Sequence, residues 1–198
     1  MKKILVATHN PGKITEYREI LGGHALEFLL LSDLNISDEP EENGKTFEEN
    51  AIKKAEFYSQ FTDLPVLAED GGLEIDYLNG ELGVHSRRWS GHKATDQELV
   101  DMTLTKLKGV PMEKRGAQFR VVVAFKKNPK AKIMTAEGVL RGIILEKPGT
   151  EIVPGFPFRS LFYLPEIGKV LGDATAEDEV KIAHRRIAIQ KLLPFLIN

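Results

Sequence analysis

The segment of residues 2–21, KKILVATHNPGKITEYREIL, decides the fold, because it changes from a strand pattern to a helix pattern within a few residues. The apolar run at residues 4–7 predicts a buried strand, and Asn10-Pro11-Gly12 predicts a turn. A helix is expected from about Lys13 to Leu21, with one apolar face formed by Ile14, Tyr17 and Leu21. A strand, a loop and a helix in this order are typical of an α/β fold.

The rest of the chain continues this alternation and then pairs strands. Thr46 is expected to begin a second helix, because Glu49 three residues later completes a capping box. Further apolar, alternating and helical patterns predict four strands and two helices. The strands lie at residues 64–68, 73–78, 117–125 and 132–140, and the helices at residues 96–108 and 176–193. The predicted fold class is α/β, a mixed central sheet flanked by helices, in a single domain of residues 1–198.

Composition and charge are those of an ordinary globular protein. Of 198 residues, 42% are hydrophobic and 28% are charged, with 27 basic and 29 acidic side chains and a net charge of −2. A nucleic-acid polymer is not expected as a partner, since duplex-binding proteins usually carry a basic excess. The chain has no cysteine, which excludes disulfides and thiol catalysis. The apolar run at residues 4–7 is too short for a signal peptide or a membrane span, so we expect the cytoplasm and no membrane partner.

The loop between the first strand and the first helix is a candidate phosphate site. Such a loop points free backbone N–H groups and the positive end of the helix dipole at a ligand, and its lysine adds a full charge. An ordinary turn with a surface lysine is the alternative, and taken alone it is the more frequent arrangement. The loop consists of Thr8, His9, Asn10, Pro11, Gly12 and Lys13.

A pair of carboxylates after the strand predicted at residues 64–68 is a candidate metal site. Glu69 and Asp70 stand there, followed by two glycines. Mg²⁺ takes oxygen ligands and shares its coordination shell with substrate phosphates. Glu41 and Glu42 belong to an acidic loop, residues 35–45, and add ligands if that loop folds over the site. The alternatives are a solvated turn and a disordered acidic loop.

Two groups in the C-terminal third have chemistry that suits a nucleotide. The last predicted helix carries His184, Arg185 and Arg186, and the planar fork of an arginine matches a phosphate or a base oxygen. Aromatic rings stack on bases, and four lie close together in sequence. They are Phe156, Phe158, Phe162 and Tyr163. A basic helical surface and a packed core are the alternatives, but the combination with the phosphate loop and the carboxylate pair predicts a nucleotide site.

Five segments, in matching order, resemble the inosine triphosphate pyrophosphatase family. Residues 8–13, THNPGK, are similar to the family's T-x-N-x-x-K loop, and residues 41–51, EENGKTFEENA, are similar to E-E-x-G-x-T-F-x-E-N-A. Residues 69–73, EDGGL, resemble D/E-D-S-G-L, and residues 80–91, GELGVHSRRWSG, resemble G-x-P-G-x-x-S-A-R-Y-x-G. Residues 183–185, AHR, are similar to S-H-R. The resemblance extends from residue 4 to about residue 193, nearly the whole chain.

This resemblance implies a fold and an activity. The fold would be inosine triphosphatase-like, a mixed sheet flanked by helices in two lobes with a nucleotide cleft between them. The reaction would be the hydrolysis of ITP, XTP and dITP to the monophosphate and pyrophosphate, with Mg²⁺ as the cofactor. Family members are commonly homodimers, so the resemblance implies a homodimer here as well.

The resemblance also implies roles for individual residues. Asp70 would be the general base and a metal ligand, and Glu41 would be a second metal ligand. The loop of residues 8–13 would hold the triphosphate. Arg185 would contact the nucleotide at its base. The remaining substrate-binding residues implied are Gly71, Gly155, Phe156, Phe158 and His184.

Several positions depart from the family's pattern. Gly71 replaces a serine that touches substrate in the family. The family's G-F-G-Y-D-P segment reads GFPFRS at residues 155–160, so that Arg159 stands in place of an aspartate, and Glu179 aligns with a lysine. Our hypothesis is that a pocket salt bridge is inverted and that the base preference has shifted. Three functions remain open: a pyrophosphatase for ITP, XTP and dITP, the same reaction on a different base, and nucleotide binding without turnover.

Overall fold

The chain folds as alternating strands and helices followed by a run of paired strands. The computed structural model describes residues 1–85 and 94–197. The strands are β1 (Lys2–Ala7), β2 (Leu26–Leu30), β3 (Val66–Ile75), β4 (Gly116–Lys126), β5 (Ile133–Ile144), β6 (Phe162–Leu164) and β7 (Lys169–Val170). The helices are α1 (Pro11–Leu21), α2 (Phe47–Tyr58), α3 (Asp96–Lys106), α4 (Ala176–Ile182) and α5 (His184–Ile197). Within the described ranges, no helix is long and apolar enough to cross a membrane.

The strands form a mixed sheet in the order β2-β1-β3-β4-β5-β6-β7. β1 is parallel to β2 and β3, whereas β6 is antiparallel to β5 and β7. The register of β1 and β3 pairs Ala7 with Ala68. The loop that follows Ala7 therefore begins beside Glu69 and Asp70. The predicted α/β fold class is confirmed.

The main differences between the predicted elements and the structure concern β3 and residues 176–193. β3 continues through the Glu-Asp-Gly-Gly sequence that predicted a strand end, because β3 lies between two neighbouring strands whose pairing outweighs the weak strand propensity of glycine. The single helix predicted at residues 176–193 is wrong, since α4 and α5 are separate. Ala183 stands between them with φ −63° and ψ 109°, an extended conformation that ends α4. Its methyl side chain has no oxygen that could cap α5.

The chain forms two compact units, each with its own core. Unit 1 comprises Met1–Gly71, Val121–Gly138 and His184–Asn198. Its core includes Ile4, Val6, Leu21, Val123, Ala188 and Ile189. Unit 2 comprises Gly72–Arg120 and Val139–Ala183, and its core includes Leu73, Leu99, Val100, Leu107 and Phe162. The organisation of residues 1–198 as a single domain stays a prediction.

Helix α2 of unit 1 positions two polar side chains within an otherwise apolar face. Thr46 caps the helix as predicted, and its Oγ1 accepts a hydrogen bond from the Glu49 N–H at 3.1 Å. In the predicted capping box the Glu49 carboxylate would accept from the N–H of Thr46. It accepts instead from the N–H of Lys45, one residue earlier, at 2.7 Å. Phe47, Ala51, Ala55 and Tyr58 are buried. Asn50 and Lys54 are four residues apart and therefore share one side of this helix.

Candidate active site

The predicted phosphate loop forms the N-terminus of α1. Asn10 caps this helix, because its Oδ1 accepts hydrogen bonds from the N–H groups of Gly12 at 2.9 Å and Lys13 at 3.3 Å. Thr8 Oγ1 accepts in turn from the Asn10 N–H at 3.2 Å. At the start of α1 the expected free N–H groups are taken, since Pro11 has no N–H and the Asn10 side chain binds those of Gly12 and Lys13. The helix dipole and the Lys13 charge are the other features of this loop that would attract an anion.

The two basic side chains of this loop contact different partners. His9 is exposed, and its Nε2 lies 3.9 Å from Glu39 Oε1 in the acidic loop. Lys13 Nζ lies 3.0 Å from Glu69 Oε1. The lysine therefore joins the phosphate loop to β3, and it does so one residue before Asp70.

Glu69 is the centre of a buried charge cluster in unit 1. Its side chain is 2% exposed, and its carboxylate accepts hydrogen bonds from Tyr17 Oη at 2.9 Å and from Arg185 Nε and Nη2 at 2.6 and 2.8 Å. Burial alone raises the pKa of Glu69, but the charges and hydrogen bonds of Arg185 and Lys13 outweigh burial and hold that pKa well below its ordinary value. Burial and the Glu69 charge raise the pKa of Tyr17, so its hydroxyl stays protonated and donates a hydrogen bond to Glu69.

Arg185 is placed at the start of α5 with its guanidinium facing carboxylates. The residue is 5% exposed, and it also pairs with Glu16. In this structure its donors are therefore directed at Glu69 and Glu16. His184, the first residue of α5, is half-buried. The contacts of both residues with a nucleotide stay predictions.

Asp70 is held on both of its carboxylate oxygens. Oδ2 accepts a hydrogen bond from Asn50 Nδ2 at 2.9 Å, and Oδ1 lies 3.3 Å from Lys54 Nζ. Burial raises the pKa of Asp70, and the Lys54 charge and the Asn50 hydrogen bond offset only part of that rise. For Lys54, burial lowers the pKa, but the charges of Asp70 and Glu42 outweigh burial and raise it. Lys54 is consequently a fixed positive charge beside Asp70.

The oxygens around Lys54 form a donor set that fits Mg²⁺. Lys54 Nζ lies 2.8 Å from Glu42 Oε1 as well as 3.3 Å from Asp70 Oδ1, so two carboxylates already face one cation. Mg²⁺ is usually held by one or two carboxylates together with substrate phosphates. Among residues 1–85 and 94–197, no three His, Cys, Asp or Glu side chains converge on a common point. Glu41 is exposed, and its role as a ligand stays a prediction.

Sequence reasoning missed three residues of this site. They are Tyr17, Asn50 and Lys54. The last two carry a readable signal, because a polar residue within the buried stripe of an amphipathic helix needs a partner there. Tyr17 carries none, since a tyrosine on an apolar helix face is an ordinary core residue.

The predicted base-recognition segment begins in unit 2 with a tight turn. Gly155 has φ 83°, in the left-handed region that favours glycine, and its N–H donates to Asp96 Oδ2 at 2.6 Å. Phe158 is buried in the core of unit 2, which agrees with the core alternative for this ring. Its contact with a base stays a prediction, as does the contact of Gly71, which follows Asp70 in β3, with substrate. Of the family-like segment at residues 80–91, residues 86–91 lie outside the described residues.

Arg159 and Glu179 form the ion pair that the reversed charges suggested. An Arg159 nitrogen contacts Glu179 Oε1, and it also donates to the Leu171 carbonyl at 3.3 Å. The guanidinium carbon lies 5.8 Å from the centre of the Phe156 ring. The two side chains are 18% and 28% exposed, so the pair is only partly screened by water. The Arg159–Glu179 ion pair is therefore present, while the inversion of a family salt bridge and its effect on base preference stay a hypothesis.

Comparison with known proteins gives the same relationship over the whole chain. The profile of the Ham1 family matches residues 4–195. The chain is 39% identical to the dITP/XTP pyrophosphatase of Bacillus subtilis (strain 168), over 99% of this chain and 98% of that protein. It is 41% identical to the dITP/XTP pyrophosphatase of Geobacter sulfurreducens, over 97% and 95% of the two chains.

Solved structures agree. A HAM1 protein from Coxiella burnetii superposes with a TM-score of 0.87 at 32% identity, covering 99% of this chain and 98% of the other. The Ham1 protein of Staphylococcus aureus gives 0.84 at 34% identity, with 98% of both chains covered. These matches confirm the resemblance that the five segments indicated. The chain belongs to the Ham1 family.

Proposed function

We propose that this protein is a nucleoside triphosphate pyrophosphatase that hydrolyses ITP, XTP and dITP to the monophosphate and pyrophosphate. The observation that supports this most strongly is the parallel register of β1 and β3, which sets Lys13 3.0 Å from Glu69, the neighbour of Asp70. A cationic loop and a carboxylate pair thereby share one edge of the sheet. Relatives at 39–41% identity carry the name dITP/XTP pyrophosphatase.

The phosphate end of the substrate is assigned to the loop of residues 8–13. Asn10 and Thr8 hold the loop in shape through their hydrogen bonds within it, and Lys13 supplies the charge. A lysine ammonium has three donors, so Lys13 can contact Glu69 and still donate to a phosphate oxygen. The positive end of the α1 dipole adds to this attraction.

Asp70 is assigned as the general base. Its carboxylate orients a water molecule and takes its proton while the water oxygen forms a bond to the α-phosphorus. The bond from that phosphorus to the bridging oxygen of the β-phosphate breaks, and pyrophosphate leaves with the electron pair. When bound, Mg²⁺ offsets negative charge on the phosphate oxygens and favours the ionised form of Asp70. Asp70 and Glu42, whose carboxylates both contact Lys54, would hold it, with Glu41 as a further ligand from the same loop.

The base end is assigned to Gly155, Phe156 and Phe158. His184, Arg185 and Gly71 are assigned as further substrate-binding residues. The Arg159–Glu179 ion pair favours a second candidate, the same reaction on a different base. That candidate differs only in specificity, because the loop of residues 8–13 and Asp70 are retained. We further propose a homodimer in the cytoplasm, on the resemblance alone.

The test is pyrophosphate release with Mg²⁺ from ITP, XTP, dITP and the standard purine and pyrimidine triphosphates, with Asp70→Asn as the control. We expect cleavage of ITP or XTP, and a fall in kcat of about a hundred- to ten-thousand-fold in the variant. Cleavage of another base alone would support the second candidate. Binding without release from any triphosphate would identify a nucleotide-binding protein without turnover and overturn both.

A further inference from the structure

Asn50 joins two parts of the site through one buried side chain. The residue is 1% exposed and lies on α2. Its Nδ2 donates to Asp70 Oδ2 at 2.9 Å, and its Oδ1 accepts from the Gly44 N–H at 2.7 Å. The orientation of the amide is unambiguous, because a backbone N–H can only donate and an ionised carboxylate can only accept. The amide therefore connects Asp70 to the acidic loop.

Gly44 is shaped to receive this side chain. A Cβ atom at Gly44 would lie 2.5 Å from Asn50 Oδ1 and 2.9 Å from Glu49 Cβ, closer than side-chain carbons approach such atoms. Only a glycine lets the backbone come near enough for the hydrogen bond at 2.7 Å. Because Gly44 lies two residues after Glu42, the bond also limits where Glu42 can go.

The two oxygens of Asp70 have different partners. Oδ2 faces the neutral amide of Asn50, whereas Oδ1 faces the Lys54 ammonium, which in turn contacts Glu42 at 2.8 Å. With Oδ2 held by Asn50, the carboxyl group cannot rotate without losing a buried hydrogen bond. Oδ1 is thereby kept on the side of Lys54 and Glu42.

We propose that Asn50 is a positioning residue of the pyrophosphatase reaction, which fixes Asp70 through Oδ2 and holds the acidic loop against it through Gly44. This inference rests on the function proposed above. It is distinct from a purely structural role for a buried asparagine. A structural role lowers stability alone, whereas a positioning role lowers kcat in folded protein with little change in KM, since groups that orient a catalytic carboxylate act on the chemical step.

The first variant is Asn50→Leu, which has a similar shape and no hydrogen bonds. We expect kcat for ITP or XTP to fall about 10- to 100-fold with KM changed less than about threefold. Hydrogen exchange of a peptide spanning the Gly44 amide should accelerate, because that N–H loses its acceptor. The matched control is Thr46→Ala, which removes the cap of the same helix and should lower the melting temperature while leaving kcat within about twofold.

Asn50→Asp separates the two hydrogen bonds and covers the case in which Asn50→Leu does not fold. The aspartate keeps an acceptor for the Gly44 N–H, but a carboxylate oxygen replaces the amide group that donates to Asp70. We therefore expect kcat to fall while hydrogen exchange at the Gly44 amide stays close to that of the wild type. Unchanged kcat in Asn50→Asp, or an equal loss in Thr46→Ala, would overturn the inference. Absence of pyrophosphate release from the wild type would instead overturn the proposed function itself.

Discussion

Two ion-paired groups in this protein differ in how their charges meet water. In unit 1, the side chains of Glu69 and Arg185 are 2% and 6% exposed, and they bind each other, Tyr17, Lys13 and Glu16. In unit 2, the Arg159–Glu179 pair is 18% and 28% exposed. A charge that is fully buried among several partners cannot be altered alone without stranding the others. The charges of a partly exposed pair can be reversed, because water compensates for an imperfect fit between the two side chains.

This difference in burial matches the family resemblance at these particular residues. The motif residues of unit 1, from Lys13 to Glu69 and Arg185, depend on one another through direct contacts. The departures at Arg159 and Glu179 fall on a pair with one principal mutual contact. We therefore expect single substitutions to affect folding strongly in the first group and specificity in the second.

The largest effect is expected for Arg185→Leu. This change leaves Glu69 and Glu16 without their main cationic partner, and removal of one member of a buried pair costs about 3–5 kcal/mol. The measurement is the free energy of unfolding by urea. Arg159→Leu is the matched variant in unit 2, where a partly exposed pair should lose only about 1 kcal/mol. Equal losses in the two variants would break the comparison.

Arg185→Lys sharpens the same comparison. Lysine keeps the charge but lacks the planar fork that contacts both Glu69 oxygens and Glu16. The free energy of unfolding lost in Arg185→Lys should lie between zero and the loss in Arg185→Leu. A stability equal to the wild type would mean that charge alone, and not the guanidinium geometry, holds the cluster.

Much of the fold could be predicted because local patterns and pairing agreed. The strand and the helix at the N-terminus both appear, although the helix begins at Pro11, within the predicted turn. The strands β4 and β5 lie where alternating patterns predicted strands, and they are neighbours in the sheet. The joined helix at residues 176–193 was wrong, since the apolar period continues across Ala183 and nothing in a single alanine marks a break. The strand predicted at residues 64–68 continues to Ile75, because glycine propensity is local whereas strand pairing is not.

The site was predictable in its motif residues but not in their partners. Lys13 and Asp70 stand out by type and position, whereas the hydrogen bond from Asn50 to Asp70 depends on how α2 packs beside β3. Free N–H groups were expected in the loop after Thr8, but the Asn10 side chain accepts hydrogen bonds from those of Gly12 and Lys13. A side chain that caps its own helix competes with a ligand for the same donors, and a sequence pattern does not show which of them is bound.

A smaller effect is expected from reversing the charges of unit 2. Arg159→Asp combined with Glu179→Lys should preserve an ion pair and change the ratio of kcat/KM between bases by about tenfold, or about 1.4 kcal/mol. The measurement is pyrophosphate release over the triphosphate panel. An unaltered ratio would remove the hypothesis that the inverted pair sets base preference.

The matched control for this exchange is another ion pair of the same unit. Lys106 Nζ lies 3.3 Å from Glu81 Oε2, and both side chains are exposed. Lys106→Glu combined with Glu81→Lys reverses two charges of unit 2 away from the 155–160 segment in sequence. An equal change in selectivity in this control would show that the overall distribution of charge in unit 2, and not the Arg159–Glu179 pair, sets the base preference.

The smallest effect is expected at Asp178, which binds Lys169 at 2.6 Å and the Thr175 N–H at 2.9 Å. The hydrogen bonds from Lys169 and Thr175 lower the pKa of Asp178 to about 2. A carboxyl whose folded pKa is depressed stabilises the fold above its unfolded pKa of about 4 and loses that contribution as the pH falls toward 2. Asp178→Asn should therefore melt below the wild type at pH 7, and the difference should shrink between about pH 4 and pH 2.

Glu177→Gln, at an exposed position of the same turn, is the control. A difference that persists unchanged at pH 2 would assign the effect to the shape of the side chain, because a protonated aspartate and an asparagine carry the same charge.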